Sequence, residues 1–183
     1  RDALDQVRDA LGSAAAFEQE LHHAVEHSVE LAAVWLHYLA EDSPPPILPI
    51  LCGSFAPFVE GVEQVNQHPG ITGVIDALRE LAESRPNLVL VAAADLAHVG
   101  PAFGGPPVGP LERAACRASD QALLEAICAG DAAGFLQHLQ AERDRRNVCG
   151  IPPIYVTLRA LEPASGIVTG YDQCPADAQG TSI

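Results

Sequence analysis

The chain has 183 residues, a length that suits one domain, and a core of that size needs no disulfide framework. Ten arginines, no lysine and 24 acidic residues leave a net charge of −14, which excludes nonspecific nucleic-acid binding and attraction to an anionic membrane surface. Hydrophobic residues make up 48% of the chain, which excludes low-complexity disorder.

Apolar spacing predicts a first helix over Asp2–Leu11, with Leu4, Val7 and Leu11 on one side. A second is expected over Glu18–Ala40, its apolar face formed by Leu21, Val25, Leu31, Trp35 and Leu39. The run Ile47–Cys52 reads as a strand ending at Gly53. It lies in the uncharged stretch Ser43–Val59, which Pro44, Pro45, Pro46, Pro49 and Pro57 break, so that stretch is no transmembrane helix. No signal-peptide pattern precedes it. A third helix follows over Gly73–Glu83, and a second strand over Leu88–Ala94. The Pro/Gly stretch Gly100–Pro110 reads as an ordered loop of the kind that builds active sites. Helices are then expected over Leu111–Ala129 and Asp131–Asp144, with Asp131 as N-cap after a terminating Gly130. Pro153–Leu161 satisfies both periods; Pro152 and Pro153 favour a helix start. Ile167–Tyr171 is a shorter strand candidate.

Continuous apolar strands alternating with helices predict an α/β fold with a mostly parallel sheet covered on both faces. The five cysteines (52, 116, 128, 149 and 174) show no C-x-x-C pair, which fits reduced thiols in a cytoplasmic protein. The chain has no methionine and opens at Arg1 in the manner of a helix interior, so a fragment or a processed piece is expected.

Three places carry chemistry. Asp95-Leu-Ala-His98-Val-Gly100 directly follows the most hydrophobic strand candidate, where open α/β sheets place their ligands. Its carboxylate can orient its imidazole for proton transfer; alternatively Asp95 caps the next segment and His98 is a partly buried loop residue. In His22-His23-Ala-Val-Glu26-His27-Ser28, a helix would put His23 and His27 on one face, as in metal sites and in the H-x-x-E-H zinc proteases. A solvated polar face containing His23, His27, Glu30 and His37 reads the same way. Cys149-Gly150-Ile-Pro152-Pro153 puts a thiol just before a helix start, which favours the thiolate; a small buried hydrophobe is the other reading.

In order and spacing these motifs resemble the MEMO family, whose bacterial and archaeal members are called AmmeMemoRadiSam system protein B. Its E-H-S-x-E matches Glu26-His27-Ser28-Val29-Glu30, with His23 four residues ahead of His27. A proline-flanked strand ending in Gly matches Pro49–Gly53, and D-x-x-H-x-G matches Asp95–Gly100, followed by Phe103-Gly104. C-G-x-x-P-I matches Cys149–Ile154, followed by Tyr171-Asp172-Gln173. The resemblance implies a three-layer α/β/α fold like that of class III extradiol dioxygenases, spread over a single domain, 1–183. That domain would be the C-terminal two-thirds of the family's length, without its first and last strands.

It further implies a single transition metal, iron(II) or copper, held by His27 and Cys149, with Asp95 and His98 as acid/base residues. The family's third ligand lies in a P-H-A-G-Y motif with no counterpart here, so that ligand is expected to be missing from this chain. Serines expected before Asp95 are Ala93 and Ala94, and the aromatic expected after His98 is Val99. The function implied is redox or oxygen-activating chemistry on a small-molecule substrate. The rival is a catalytically silent scaffold for a protein partner on the same fold, and a third reading is the zinc metalloprotease.

Overall fold

The computed structural model describes residues 2–41 and 43–183. Arg1, on which the fragment expectation rests, lies outside them, as does Asp42. In chain order the α-helices are α1 (Ala3–Leu11), α2 (Ser13–Phe17), α3 (Ser28–Ala40), α4 (Ala56–Val59), α5 (Pro69–Ser84), α6 (Pro110–Cys128), α7 (Ala132–Glu142) and α8 (Ile151–Ala160). Short 3₁₀ turns span Glu20–Ala24, Val65–Gln67 and Pro101–Phe103. No described helix is long and apolar enough to cross a membrane.

The expected sheet is absent. Among the described residues there is no strand, so the three-layer α/β/α fold with a parallel sheet is corrected to a helical one. Each of the three runs expected as strands is irregular. A strand needs a neighbour's backbone about 4.8 Å away, and a strand of a covered parallel sheet also needs both faces buried. Val89 is 78%, Val91 58% and Ile167 86% exposed, so these apolar runs face outward instead of being sandwiched. In Ile47–Cys52, Pro49 has no N–H to give to a ladder.

By contact the chain forms two compact units, Arg1–Gly53 with Gln64–Ala93, and Ser54–Glu63 with Ala94–Ile183. In the first, α1 packs on α5. The α5 helix turns Val74, Ile75, Ala77, Leu78 and Leu81 inward, and Val7 of α1 is buried as well. The two backbones come close at Gly73, where a Cβ would lie 3.1 Å from the Ala10 carbonyl oxygen. His68 caps α5, its Nδ1 accepting from Ile71 N at 3.3 Å.

The helix expected over Glu18–Ala40 is broken into the Glu20–Ala24 turn and α3. Glu26 causes the restart: its carboxylate accepts from Ser28 N at 2.8 Å and from the Ser28 hydroxyl, capping the first turn of α3.

In the second unit α7 packs against α4, α6 and α8. Phe135 and Leu139 of α7 and Leu123 of α6 are fully buried, and Phe58 and Tyr155 are nearly so. Phe55 stacks edge-to-face on Phe58 (centroids 5.0 Å) and on Tyr155 (5.7 Å). Asp131 is the N-cap expected from the sequence, its carboxylate accepting from Gly134 N at 2.8 Å. Residues 181–183 are laced to the segment after Ala94: Val99 and Ile183 exchange N–H···O bonds of 2.8 and 2.9 Å, and Val108 N donates to Thr181 O at 2.9 Å. Ile183 there packs with Val108 and Cys116.

Candidate functional site

Asp95, His98 and Cys149 come together in the second unit, brought there by hydrogen bonds across about fifty residues. The Asp95 carbonyl accepts from Gly150 N at 3.1 Å and from the Cys149 thiol at 3.6 Å. His98 N donates to Arg146 O at 2.7 Å, and the Asn147 side-chain amide donates back to His98 O at 3.1 Å. The D-x-x-H and C-G segments thus form one seam.

Both motifs need their glycine, Gly150 for this seam and Gly100 for the approach of residues 181–182. At Gly150 a Cβ would lie 2.5 Å from the Asp95 carbonyl oxygen and 3.0 Å from the Ala94 Cβ. Gly100 has φ +114°, and its Cβ would lie 2.5 Å from Ser182 Cα.

The imidazole of His98 is three-quarters buried on its side chain, and Phe103 meets it edge-on at 5.0 Å. Its Nδ1 faces two carbonyl oxygens, Leu96 O and Asn147 O, each at 3.2 Å. Carbonyls only accept, so Nδ1 carries the proton and Nε2 is left as the basic atom. Nε2 lies 3.7 Å from the Asp95 carboxylate, which is 81% exposed.

Cys149 immediately precedes Gly150, the N-cap of α8, as expected. The expected thiolate does not follow. Although the residue is exposed, desolvation of the sulfur pushes the Cys149 thiol up, and the Asp95 carboxylate adds to the shift. The sulfur is a hydrogen-bond donor to a carbonyl, which also requires the thiol form.

His27 belongs to the first unit, as the N-cap residue of α3. Its side chain is 80% exposed, with Nδ1 3.6 Å from Glu26. His23 lies in the preceding 3₁₀ turn, so no helix face carries the two histidines together. The H-x-x-E-H zinc site required such a face, and that reading is withdrawn.

Behind Phe103 a cavity of about 390 Å³ opens, walled by Val99, Phe103, Pro107, Val108, Cys116 and Asn147. Sequence reasoning missed Arg146 and Asn147, which line it, and Asp120, which binds Arg146. Arg146 and Asn147 stand directly ahead of Val148-Cys149, and Asp120 is an acid on the inward side of α6; both are visible signals once the C-G motif is known to close on His98.

A family model described as Memo-like protein matches residues 3–179. The chain belongs to the Memo-like protein family. No curated protein and no solved structure matches it. In this Memo-like chain, the seam joins two of the motifs named above, and the third, Glu26-His27-Ser28, is a capping device that holds His27 at a helix start.

The metal implied by the resemblance needs more donors than the structure gathers. Among the described residues no group of three or more His, Cys, Asp or Glu side chains converges as a metal site would require. Cys149 is held as a thiol in this structure. The described residues of this Memo-like chain therefore bring together fewer donors than one metal ion takes.

Proposed function

We propose that this Memo-like chain carries out proton transfer on a small molecule at the Asp95–His98–Cys149 seam. The observation behind the proposal is the double hold on His98 Nδ1, which leaves Nε2 free and basic beside Asp95. Nε2 takes a proton from a bound molecule, Asp95 stabilises the imidazolium, and the reverse step returns the proton. The neighbouring cavity, about 390 Å³, lies in the size range of small-molecule sites. Phe103 lines this cavity and also meets the His98 ring edge-on at 5.0 Å, which ties the cavity to the imidazole.

Family membership supports a second part of the proposal: His27 and Cys149 as ligands of one iron(II) or copper ion, completed by a donor from outside the described residues. Such an ion would supply redox or oxygen-activating chemistry. On binding, Cys149 would give up its thiol proton, and the resulting soft thiolate with imidazole suits iron or copper better than magnesium or calcium. Metal analysis after anaerobic loading with iron(II) or copper tests this part. Stoichiometric metal that is lost in both His27→Ala and Cys149→Ala but kept in His98→Ala supports it. A folded protein that retains no metal under either loading sinks it, and leaves the proton-transfer reading standing.

One observation favours the scaffold reading as an alternative. No residue of α3 is buried, and Leu31, Val34, Trp35, Tyr38 and Leu39 are 57–73% exposed. An apolar face of that kind is suited to a protein partner. A Trp35→Ser variant that stays folded and keeps its metal content but abolishes a protein complex would favour it.

A further inference from the structure

The chemistry above leaves a buried charged cluster unused. Asp120 of α6 is 3% exposed and Arg146 9%. One Arg146 nitrogen donates to one Asp120 oxygen. Its Nε and second terminal nitrogen grip Glu142 of α7 at 2.9 and 2.7 Å. The Tyr171 hydroxyl donates to the other Asp120 oxygen at 2.7 Å, and Cys116 Sγ approaches that oxygen at 3.8 Å. Arg117 lies over the Tyr171 ring, 4.9 Å from its centroid. One guanidinium is thus clamped between carboxylates from two helices, in the bidentate manner that fixes its plane.

Burying such charges is not a cheap route to stability: desolvation cancels most of the attraction, and apolar replacements are often no worse. A role in geometry accounts for the cluster better. Arg146 is the residue whose carbonyl accepts from His98 N, and Asn147 is the residue whose carbonyl faces His98 Nδ1. Between α7 and these carbonyls the chain runs through Arg143, Asp144 and Asn147 at φ +55°, +45° and +50°. Three non-glycine residues at positive φ hold a costly turn, which persists only where something anchors it. Within that turn the Arg146 side chain is the buried anchor, tied to α6 and α7; Val148 N, bonded to the Asp144 carboxylate at 2.8 Å, closes the far side.

We infer that Asp120 and Arg146 are positioning residues for His98: by clamping the Arg146 guanidinium, Asp120 sets the carbonyls that hold the imidazole with its proton on Nδ1 and Nε2 free. The Tyr171 hydroxyl completes Asp120 without touching Arg146. This inference rests on the reading of His98 as the proton-transfer group.

Long-range ¹H–¹⁵N correlation of side-chain histidine nitrogens in the full chain tests it, with His98 assigned by its loss in His98→Gln. The wild-type spectrum is expected to show His98 with its proton on Nδ1. In Asp120→Asn, and independently in Arg146→Lys, the preference is expected to fall by about tenfold, the equivalent of losing about one oriented hydrogen bond. Tyr171→Phe, which leaves the clamp on Arg146 whole, is expected to keep it. A wild-type His98 protonated on Nε2 overturns the proton-transfer reading itself. A wild-type Nδ1–H form that both clamp variants retain, with their backbone amide spectra folded, overturns the positioning inference alone. If Asp120→Asn does not fold, Arg146→Lys decides; if neither folds, the cluster is a folding element and the inference falls.

Discussion

Gly150 has an ordinary backbone, φ −74°, so nothing in its conformation demands glycine. At such a position Ala normally stabilises, by about 0.4–1 kcal/mol, through the unfolded chain. Here the added methyl would sit 2.5 Å from the Asp95 carbonyl oxygen, well inside contact distance. Overpacking of that kind costs about 1–3 kcal/mol. Gly150→Ala is therefore expected to lower stability in urea denaturation and to perturb the His98 signals; a stabilised variant with unchanged signals would show that the seam is not closed as described. Tyr171 offers a pH-dependent counterpart. Burial, then the hydrogen bond to the Asp120 carboxylate, pushes its hydroxyl up from 10 to about 12. The folded state thus keeps the proton over a window in which the unfolded chain releases it, so this contribution is complete below about pH 10 and is lost as pH rises toward about 12. Tyr171→Phe should flatten the stability curve across that window, and an unchanged slope would remove Tyr171 as its source.

At the scale of elements, caps and periodicity made the helices readable and partner contacts decided everything else. Asp131 after Gly130 marked the start of α7, and the cap bond to Gly134 N is there at 2.8 Å. Asp131→Ala should cost about 1 kcal/mol, measurable by denaturation, with an effect below a few tenths contradicting a working cap. The segment before α3 shows where period alone misleads. Leu21 and Val25 keep helical spacing, yet both are about 85% exposed, and Glu26 uses its carboxylate to restart the helix at Ser28. The strands failed for a related reason. A run such as Leu88–Ala94 records only that a segment is apolar; whether it becomes a strand depends on a neighbour far away in sequence, and none pairs with it among the described residues. The site was legible to the extent that its residues sit in short local motifs: Asp95, His98 and Cys149 do meet. Arg146, Asn147 and Asp120 were not, because they act through carbonyls and buried charges that carry no spacing signature.

For the molecule as a whole, the charge of −14 bears on stability as well as on partners. Ten arginines are too few to pair with 24 acids, and Arg146 alone takes two of them. Other pairs among the described residues include surface contacts such as Arg8–Asp5 and Arg79–Asp76, both 2.7–2.8 Å, each worth about 0.2–1 kcal/mol at most. Salt acts on both terms in opposite directions: it weakens those pairs, and it screens repulsion among the unpaired carboxylates, with a Debye length of about 10 Å at 0.1 M. With surplus negative charge spread over the surface, repulsion has many more partners than attraction, so screening wins. Raising NaCl from low to near-physiological strength is expected to raise the thermal midpoint, by about 2–4 °C for each 1 kcal/mol of repulsion relieved. Chloride salts of sodium and potassium should agree, whereas sulfate would add its own exclusion effect and confuse the comparison. A midpoint that falls with added NaCl would mean that the ion pairs, with the buried clamp on Arg146 foremost among them, outweigh the repulsion.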